Sequence, residues 1–350
     1  MAGTTSHSHA ADRGRRAATQ RRSSPRWVRV CVILGVLLVV MSATTVIGAY
    51  ALTNHYEHNV KRTNLLRDVP TPSKKQAETG PMNFLLLGSD NNSTDPATQS
   101  SPIGERADTI MIIHVRRDRK QASIISIPRD SYVDVPSAGS RWRGGKNKIN
   151  AAFAFGGPQL TARTVYDLTK VPMNGAFVLD FKSTRDLVNA VGGVTVCVPE
   201  DVPSSFTRKV WKKGCHEMNG ADALEFMRQR EKLPRGDFDR IRDQQLVFRA
   251  LLDKVSSSGV LTNPLKLNRL LTTVSQAITV DERVRLTDLV LELKGIRSND
   301  LRFATVPTTT SSLKTPAGSA VALDPAKSSA LFAAIRDDTV DAWLADNSSR

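Results

Sequence analysis

Arginines and aspartates near the ends of apolar segments are the residues of this sequence whose types and spacing could do chemistry. They are Asp90, Arg106, Asp108, Arg129, Arg228, Arg230 and Arg240. A guanidinium group binds phosphate oxygens through two parallel hydrogen bonds, and paired carboxylates hold a hard cation such as Mg²⁺. This combination predicts a site that binds a diphosphate together with a divalent metal.

Three predicted strands would bring the first of these residues together. The apolar run MNFLLLGSD ends at Asp90, and two further runs, DTIMIIHV and ASIISIP, flank the charged segment RRDRKQ, which is typical of a β-hairpin. We place the hairpin centre between Asp118 and Arg119, so that facing residues have numbers that sum to 237. Asp108 then lies opposite Arg129, and a first strand parallel to the second hairpin strand brings Asp90 to the same sheet end. A cross-strand salt bridge is the alternative role of the Asp108–Arg129 pair.

The remainder of the chain alternates between helix and strand patterns. Helices are predicted over residues 158–170, STRDLVNAVGG, the start of NGADALEFMRQR, residues 237–255, residues 264–278 and DPAKSSALFAAIRDD, and strands over FVLDF, VTVCV and LRFATVPT. Alternation of this kind is typical of layered folds. We therefore expect an α/β/α sandwich with a central mixed β-sheet over residues 82–340, followed by a short tail, 341–350.

The N-terminal region is a candidate membrane anchor. Residues 1–29 carry seven arginines against one aspartate, within a chain of 350 residues and net charge +15, and residues 30–54 contain no charged residue. An apolar helix of that length can cross a hydrocarbon core of about 30 Å, and the preceding positive charge predicts a cytoplasmic N-terminus and an exported C-terminal domain. A cleaved signal peptide is the alternative. Residues 55–81 are expected to form a linker.

Cysteine usage agrees with export. Cys31 lies in the predicted span, which leaves Cys197 and Cys215 as the cysteine pair of the exported part. An oxidising compartment favours a disulfide between them, and their spacing lacks the pattern of a zinc site. Two separate buried thiols are the alternative.

Seven short motifs follow the predicted span in a fixed order. They are LLLGSD, RADTIMI, SIPRDSYVDVP, KIN, LVNAVGGVTV, NGADALEFMRQR and DFDRIRDQQ. Together they resemble the LytR-CpsA-Psr family of cell-wall glycopolymer ligases. The resemblance implies a membrane-anchored phosphotransferase that takes a glycopolymer from a polyprenyl-diphosphate carrier and joins it through a phosphodiester to a sugar hydroxyl of peptidoglycan. It also implies Mg²⁺ or Mn²⁺ as cofactor, and diphosphate hydrolysis as a side activity.

The family pattern assigns roles to residues by their positions in these motifs. Asp90 and Asp108 are the implied metal ligands. The implied ligands of the diphosphate head group are Arg106, Arg129, Lys148, Arg228, Arg230, Arg240 and Gln244. Phosphoryl transfer depends mainly on positioning and on stabilising charge on the phosphate oxygens, which a group of arginines around a metal can do. Arg106, Arg129 and Asp108 are the implied catalytic residues, with Asp108 preferred to Asp90 as the base for the attacking hydroxyl.

Spacing within the later motifs predicts how their polar residues are presented. Arg228 and Arg230 share a face only in extended backbone, so we expect the preceding helix to give way to a strand. Arg240 and Gln244, four residues apart, would share one side of a helix.

Some assignments have structural alternatives. Arg106 and Arg129 could instead form salt bridges with Asp108 or Asp130, and Lys148 could be a solvated charge.

Two positions also depart from the family pattern, since Asp239 replaces a common glycine and Asp243 a common basic residue. Asp243 would either face solvent or repel phosphate, and the second outcome would weaken the assignment of Gln244.

Two other functions are alternatives to glycopolymer transfer. One is a non-catalytic module that binds polyprenyl diphosphate. The other is a regulator that binds DNA through the arginine-rich tail, but membrane topology and anionic lipid already account for those charges. The expected partners are therefore the lipid-linked glycopolymer, peptidoglycan and the membrane, with no nucleic acid.

Overall fold

A seven-stranded mixed sheet forms the centre of the part of the chain that the structure describes. The structure is a computed structural model, and it describes residues 60–73, 76, 79–89, 107–229, 236–257, 263–293 and 295–347. In their order across the sheet the strands are β1 (Lys61–Thr63), β12 (Ile278–Asp281), β7 (Gly175–Asp180), β2 (Met82–Ser89), β3 (Ala107–Val115), β4 (Ala122–Ser126) and β13 (Leu301–Thr305). β7 is parallel to β2 and β13 is parallel to β4, whereas β3 is antiparallel to both of its neighbours. The predicted mixed sheet is therefore confirmed.

Helices cover both faces of this sheet. They are α1 (Ala151–Thr169), α2 (Phe181–Ala190), α3 (Gly220–Met227), α4 (Asp237–Ser257), α5 (Pro264–Ala277), α6 (Leu286–Leu293), α7 (Pro325–Asp337) and α8 (Val340–Asn347). Leu85 and Leu87 of β2 belong to a first core with α1, α7 and α8, whereas Phe84 and Leu86 belong to another, with side chains of α4, α5 and α6. Because successive side chains of a strand point to opposite faces, β2 is apolar on both. The α/β/α layering is confirmed.

The hairpin of β3 and β4 has the predicted register. Met111 lies opposite Ser126 and Val115 lies opposite Ala122. The backbone N–H of Ile127 donates to the carbonyl oxygen of Ile110 at 2.8 Å, which continues the same register beyond the ladder. β2 is antiparallel to β3, so it runs in the same direction as β4. Residues that follow β2 and β4 therefore leave the sheet at the end where β3 begins.

A β-bulge interrupts the pairing of β2 with β3 at Asp108. Gly88 pairs with Thr109 and Ser89 pairs with Ala107, so Asp108 is the additional residue on β3. Ile110 and Ile112 lie in the first core, and strict alternation would place Asp108 there too, but Ala107 occupies that core instead. A bulge of this type re-aims a side chain, and here it keeps a carboxylate out of the apolar core.

Four smaller two-stranded sheets accompany the central one in the described part of the chain. They pair β5 (Tyr132–Val135) with β6 (Gly145–Lys148), β8 (Val194–Val198) with β11 (Gly214–Met218), β9 (Val202–Pro203) with β10 (Val210–Trp211), and β14 (Thr308–Thr315) with β15 (Gly318–Leu323). Only β8 is among the strands that the sequence predicts. A further apolar cluster packs β8 against α2, α3 and α4.

The domain boundaries 55–81 for a linker and 341–350 for a tail are wrong. β1 pairs with β12, and the backbone N–H groups of Leu65 and Leu66 donate to the carboxylate of Asp281 at 2.8 and 3.0 Å. Both leucines are buried in the first core, and so is Val340 at the start of α8. The strand is three polar residues long, so no apolar run marks it in the sequence. The predicted membrane span, residues 30–54, lies outside the described residues, and none of the helices described has the length and apolarity needed to cross a membrane.

Helix α1 begins earlier than the sequence predicts. Its first residue is Ala151 rather than Pro158, and Gly156 and Gly157 depart from helical geometry, with a φ of +69° at Gly157. A positive φ favours glycine because it has no Cβ. The predicted break at these glycines is therefore confirmed, since two helical segments of α1 meet there at a kink.

The predicted Cys197–Cys215 disulfide is present, between residues that face each other in the β8–β11 ladder. Replacing both cysteines with serine should lower the free energy of unfolding by about 3 kcal/mol, because the bond closes a loop in the unfolded chain. Denaturant unfolding of the full chain would measure this. Reductant should move the unfolding midpoint of the unmodified protein to lower denaturant concentration and leave that of the serine variant unchanged. An equal shift of both midpoints would contradict the prediction.

Candidate functional site

Asp108 and Arg129 form an ion pair at the sheet end where β3 begins. The side chain of Asp108 is 3% exposed and that of Arg129 is 13% exposed, so water screens the pair little. The predicted register places the two residues opposite each other, and the bulge turns the carboxylate towards the guanidinium. The salt bridge that was an alternative for these residues is therefore present, and it lies where the ligand site was predicted.

Arg129 is surrounded by further carboxylates. Its Nε lies 3.8 Å from an oxygen of Asp130 and 3.4 Å from an oxygen of Asp237. Burial lowers the pKa of Arg129, but the negative charges of Asp108, Asp130 and Asp237 outweigh that effect and raise it overall. The guanidinium is thus held charged, with its orientation fixed from several sides.

Helix α4 brings a second buried guanidinium group to the same place. The side chain of Arg240 is 2% exposed, forms an ion pair with Asp237, and places Nη1 3.9 Å from the carboxylate of Asp108. Its Nη2 also donates to the backbone carbonyl of Asp108 at 3.4 Å. Asp108 is therefore adjacent to two cations, one that follows β4 and one on α4.

Gln244 lies one turn further along α4, at Thr109. The Thr109 hydroxyl donates to Oε1 of Gln244 at 3.0 Å, and the side-chain nitrogen of Gln244 has no hydrogen-bond partner in the described part of the chain. A Cβ on Gly88 would lie 2.7 Å from the Cβ of Thr109, so the glycine is needed for this close approach. The prediction that Arg240 and Gln244 share one side of a helix is confirmed.

Lys148 ends β6 near the same cluster. Its ammonium group lies 3.7 Å from Asp130, and its side chain is 24% exposed. Asn150 also donates to Asp130, at 3.2 Å. The alternative of a fully solvated lysine is therefore wrong, and Lys148 is tied through Asp130 to the surroundings of Arg129.

Arg228 does not lie in a strand. The helix α3 ends at Met227 as expected, but Arg228 caps it with φ −96° and ψ 0°, which is not extended backbone. The expectation of a strand at this point is wrong, because the helix ends in a turn. Arg230, Asp90 and Arg106 lie outside the described residues, so the structure places only part of the predicted ligand set.

Three polar residues of the site were not predicted as functional. Asp237 contacts both buried arginines, Asp130 contacts Arg129 and Lys148, and Thr109 holds Gln244. Asp237 precedes Arg240 by three residues in a motif that already carries Arg240, and this helical spacing is the signal that could have identified it.

A small, mainly apolar cavity adjoins Thr109. Its lining residues are Leu86, Leu87, Gly88, Thr109, Leu179, Asp180, Thr184, Met227 and Phe248. It lies between the sheet and helices α2, α3 and α4, beside the charged cluster.

The two acidic departures from the family pattern, Asp239 and Asp243, are buried within the protein rather than facing solvent. Arg242 lies 3.5 Å from Asp239 and 3.3 Å from Asp243, and it also pairs with Glu200. Burial raises the pKa of Asp243 to about 7, with the charges of Asp239 and Glu200 acting in the same direction and that of Arg242 opposing them. The alternative in which Asp243 faces solvent is therefore wrong. Its ion pair with Arg242 offsets part of the repulsion that the sequence suggested.

Of the two predicted metal ligands, the structure describes Asp108 but not Asp90. No group of three or more His, Cys, Asp or Glu side chains is arranged to hold a metal among the residues that the structure describes. Mg²⁺ commonly takes only one or two protein carboxylates and completes its shell with water and phosphate oxygens. Asp108, together with the predicted Asp90, matches that small donor set.

Comparison with known proteins decides the family. The model of the LytR_cpsA_psr family matches residues 48–329, which is most of the chain. The chain belongs to the LytR_cpsA_psr family. Among curated relatives, "Probable cell wall biosynthesis protein LcpB" of Corynebacterium glutamicum is 34% identical over 235 residues, which are 64% of this chain and 55% of that protein.

A second curated relative of this chain is the "Polyisoprenyl-teichoic acid--peptidoglycan teichoic acid transferase TagV" of Bacillus subtilis. It is 32% identical over 233 residues, 65% of this chain and 54% of TagV. The chain thus spans about half the length of the curated relatives it matches.

Solved structures agree with this membership. Protein gbs0355 of Streptococcus agalactiae has a TM-score of 0.66 at 25% identity, covering 77% of this chain and 91% of that one. The TagV crystal structure has a TM-score of 0.61 at 26% identity, covering 75% and 98%.

The raised pKa of Asp243 predicts a pH effect on stability. Between the ordinary value of 3.8 and about 7, the folded state binds more protons at this residue than the unfolded state does, so the free energy of unfolding falls as the pH rises. Asp243→Asn should remove this fall, which amounts to about 4 kcal/mol for a difference of about three pKa units. Denaturant unfolding of both proteins at several pH values would measure it, and profiles of equal slope would contradict the prediction.

Proposed function

We propose that this protein transfers a glycopolymer from a polyprenyl-diphosphate carrier to a sugar hydroxyl of peptidoglycan, forming a phosphodiester, with Mg²⁺ or Mn²⁺ as cofactor. The observation that carries the proposal is the convergence of Arg129 and Arg240 on Asp108, from three separate parts of the fold. Two buried guanidinium groups beside a carboxylate are suited to a substrate that carries two phosphates and a metal. The name of the related TagV, a teichoic acid transferase, supports the same reaction class.

The proposed reaction moves one phosphoryl centre between two oxygens. The acceptor hydroxyl attacks the phosphorus nearest the polymer, the bond from that phosphorus to the bridging oxygen breaks, and polyprenyl phosphate leaves. Asp108 is the candidate that takes the hydroxyl proton on a carboxylate oxygen. Arg129 and Arg240 hold the phosphate oxygens in place and stabilise the charge that develops on them.

Asp108 and Asp90 would hold the divalent metal. When bound, the ion supplies positive charge that offsets the charge on the phosphate oxygens. Lys148, Arg228, Arg230, Arg106 and Gln244 complete the proposed set of head-group ligands.

Residues 30–54 are the proposed membrane anchor, with the domain outside the cytoplasm, where the disulfide between Cys197 and Cys215 would be stable.

Substitution of Asp108 separates catalysis from binding. Asp108→Asn should lower the amount of wall-attached, phosphodiester-linked glycopolymer on the order of 100-fold, because the proposed base is lost. Mass spectrometry of wall fragments from cells carrying only the variant would measure this. Binding of farnesyl diphosphate to the purified full chain without added metal should be retained, since asparagine adds no negative charge near the phosphates.

Arg117→Ala is the matched control for that experiment. Arg117 pairs with Asp338 at 3.0 Å, near the hairpin turn at the opposite end of β3. Its loss should leave wall attachment unchanged. An equal loss of wall attachment and of farnesyl diphosphate binding in Asp108→Asn would instead favour a non-catalytic binding module.

Metal binding should depend on Asp108 more than on its neighbours. In the presence of farnesyl diphosphate, Asp108→Asn should weaken Mn²⁺ binding by about 10-fold or more, because a ligand is removed. Electron paramagnetic resonance of Mn²⁺ titrated into the full chain would measure this. Asp130→Asn removes a carboxylate that also lies near Arg129, and an equal loss in that variant would contradict the assignment.

A further inference from the structure

An exposed aromatic ring lies against one of the predicted head-group ligands. Phe206, in the turn between β9 and β10, is 57% exposed, and the guanidinium carbon of Arg228 lies 5.4 Å from the centre of its ring. A cation within about 6 Å of a ring face is attracted by the ring's quadrupole. The flat guanidinium group also stacks on such a face, which limits the directions in which its N–H groups can point.

Hydrogen bonds join the turn that carries Phe206 to the C-terminal end of α3, which Arg228 caps. Ser204 and Thr207 both donate to the carboxylate of Glu225 on α3, the second at 2.7 Å. The backbone N–H of Ser205 donates to the side chain of Gln229 at 2.6 Å, and Gln229 is fully buried. These bonds hold the turn on both sides of Arg228, so the ring and the guanidinium group keep a defined relation.

Folding does not explain the position of Phe206. Large apolar side chains are usually buried, and in the described part of the chain the exposed ones are Phe206, Val210, Leu252 and Leu265. Of these, Phe206 contacts Arg228, which is a predicted ligand of the diphosphate head group. Its apolar surface contributes little to the core, and its defined contact is with a cation.

The pair also lies next to the rest of the site. Met227 directly precedes Arg228 and lines the apolar cavity together with Thr109 and Asp180. Thr109 in turn binds Gln244, one helical turn from Arg240. Arg228 therefore directly follows a residue that adjoins the region that Arg129 and Arg240 approach from the sheet and from α4.

We propose that Phe206 is a positioning residue, whose ring orients the guanidinium group of Arg228 towards the diphosphate of the substrate. The inference rests on the proposed function, because it requires Arg228 to bind phosphate. The ring acts through Arg228, so removing it should cost affinity only where Arg228 is present.

A double-mutant cycle on the purified full chain tests this, with farnesyl diphosphate and Mg²⁺ as the probe and calorimetry as the measurement. Phe206→Leu keeps apolar bulk but removes the ring, and it should weaken binding about 3-fold, the size expected of an exposed cation–π contact. Phe206→Tyr keeps the ring and should bind as the unmodified chain does. Adding Phe206→Leu to Arg228→Ala should cause no further loss.

Two controls complete the design. Val210→Ala alters another exposed apolar residue of the same hairpin and should not change affinity. The melting temperature should be the same in all Phe206 variants, because the side chain is exposed. Binding of the Phe206→Leu protein to vesicles without diphosphate lipid should also be unchanged, and a loss there would show that the ring contacts the membrane instead.

The possible outcomes separate this inference from the proposed function. If the unmodified chain does not bind farnesyl diphosphate, both are overturned. If it binds but Phe206→Leu has full affinity, or the loss persists undiminished without Arg228, only the positioning role is overturned. A ring-current shift of the Arg228 guanidinium resonance that disappears in Phe206→Leu would support that role without any ligand.

Discussion

The burial of two guanidinium groups at one end of the sheet is the constraint on which the site depends. A buried cation is costly unless carboxylates pair with it, and Arg129 and Arg240 have Asp108 and Asp237 as partners. These partners come from β3 and α4, so the balance of charge also joins the sheet to the helix. An entering diphosphate would offer the same guanidinium groups other anionic acceptors, which keeps their charges compensated when substrate binds.

Much of the sheet side of the site could be predicted from sequence, because it depends on local periodicity. Two apolar runs around a charged turn define a hairpin, and the position of its centre fixes every facing pair, including the approach of Arg129 to Asp108. The position of Arg240 and Gln244 on one side of a helix could be predicted for the same reason, because it follows from their spacing of four residues. Family resemblance added the roles of these residues, which spacing alone does not supply.

The remaining features depend on contacts between distant segments, which periodicity does not reveal. The burial of Asp243 beside Glu200 requires the packing of α4 against the region of β8, and no pattern within either segment indicates it. The three-residue strand β1 is defined by its pairing with β12, more than two hundred residues away. Arg228 was placed in a strand because its spacing from Arg230 suits extended backbone, but the end of α3 determines its conformation instead.

Asp108 is the extra residue of a β-bulge, so the pairing of β2 with β3 does not depend on it. A chain one residue shorter at this point would pair β2 and β3 without interruption, and Ile110 and Ile112 would keep their places in the core. Such a descendant would keep the strand register, yet it would have no carboxylate between Arg129 and Arg240. A lineage could therefore lose the proposed base by a single deletion, but two buried arginines would lose a partner at the same time, so the resulting paralogue would also be less stable.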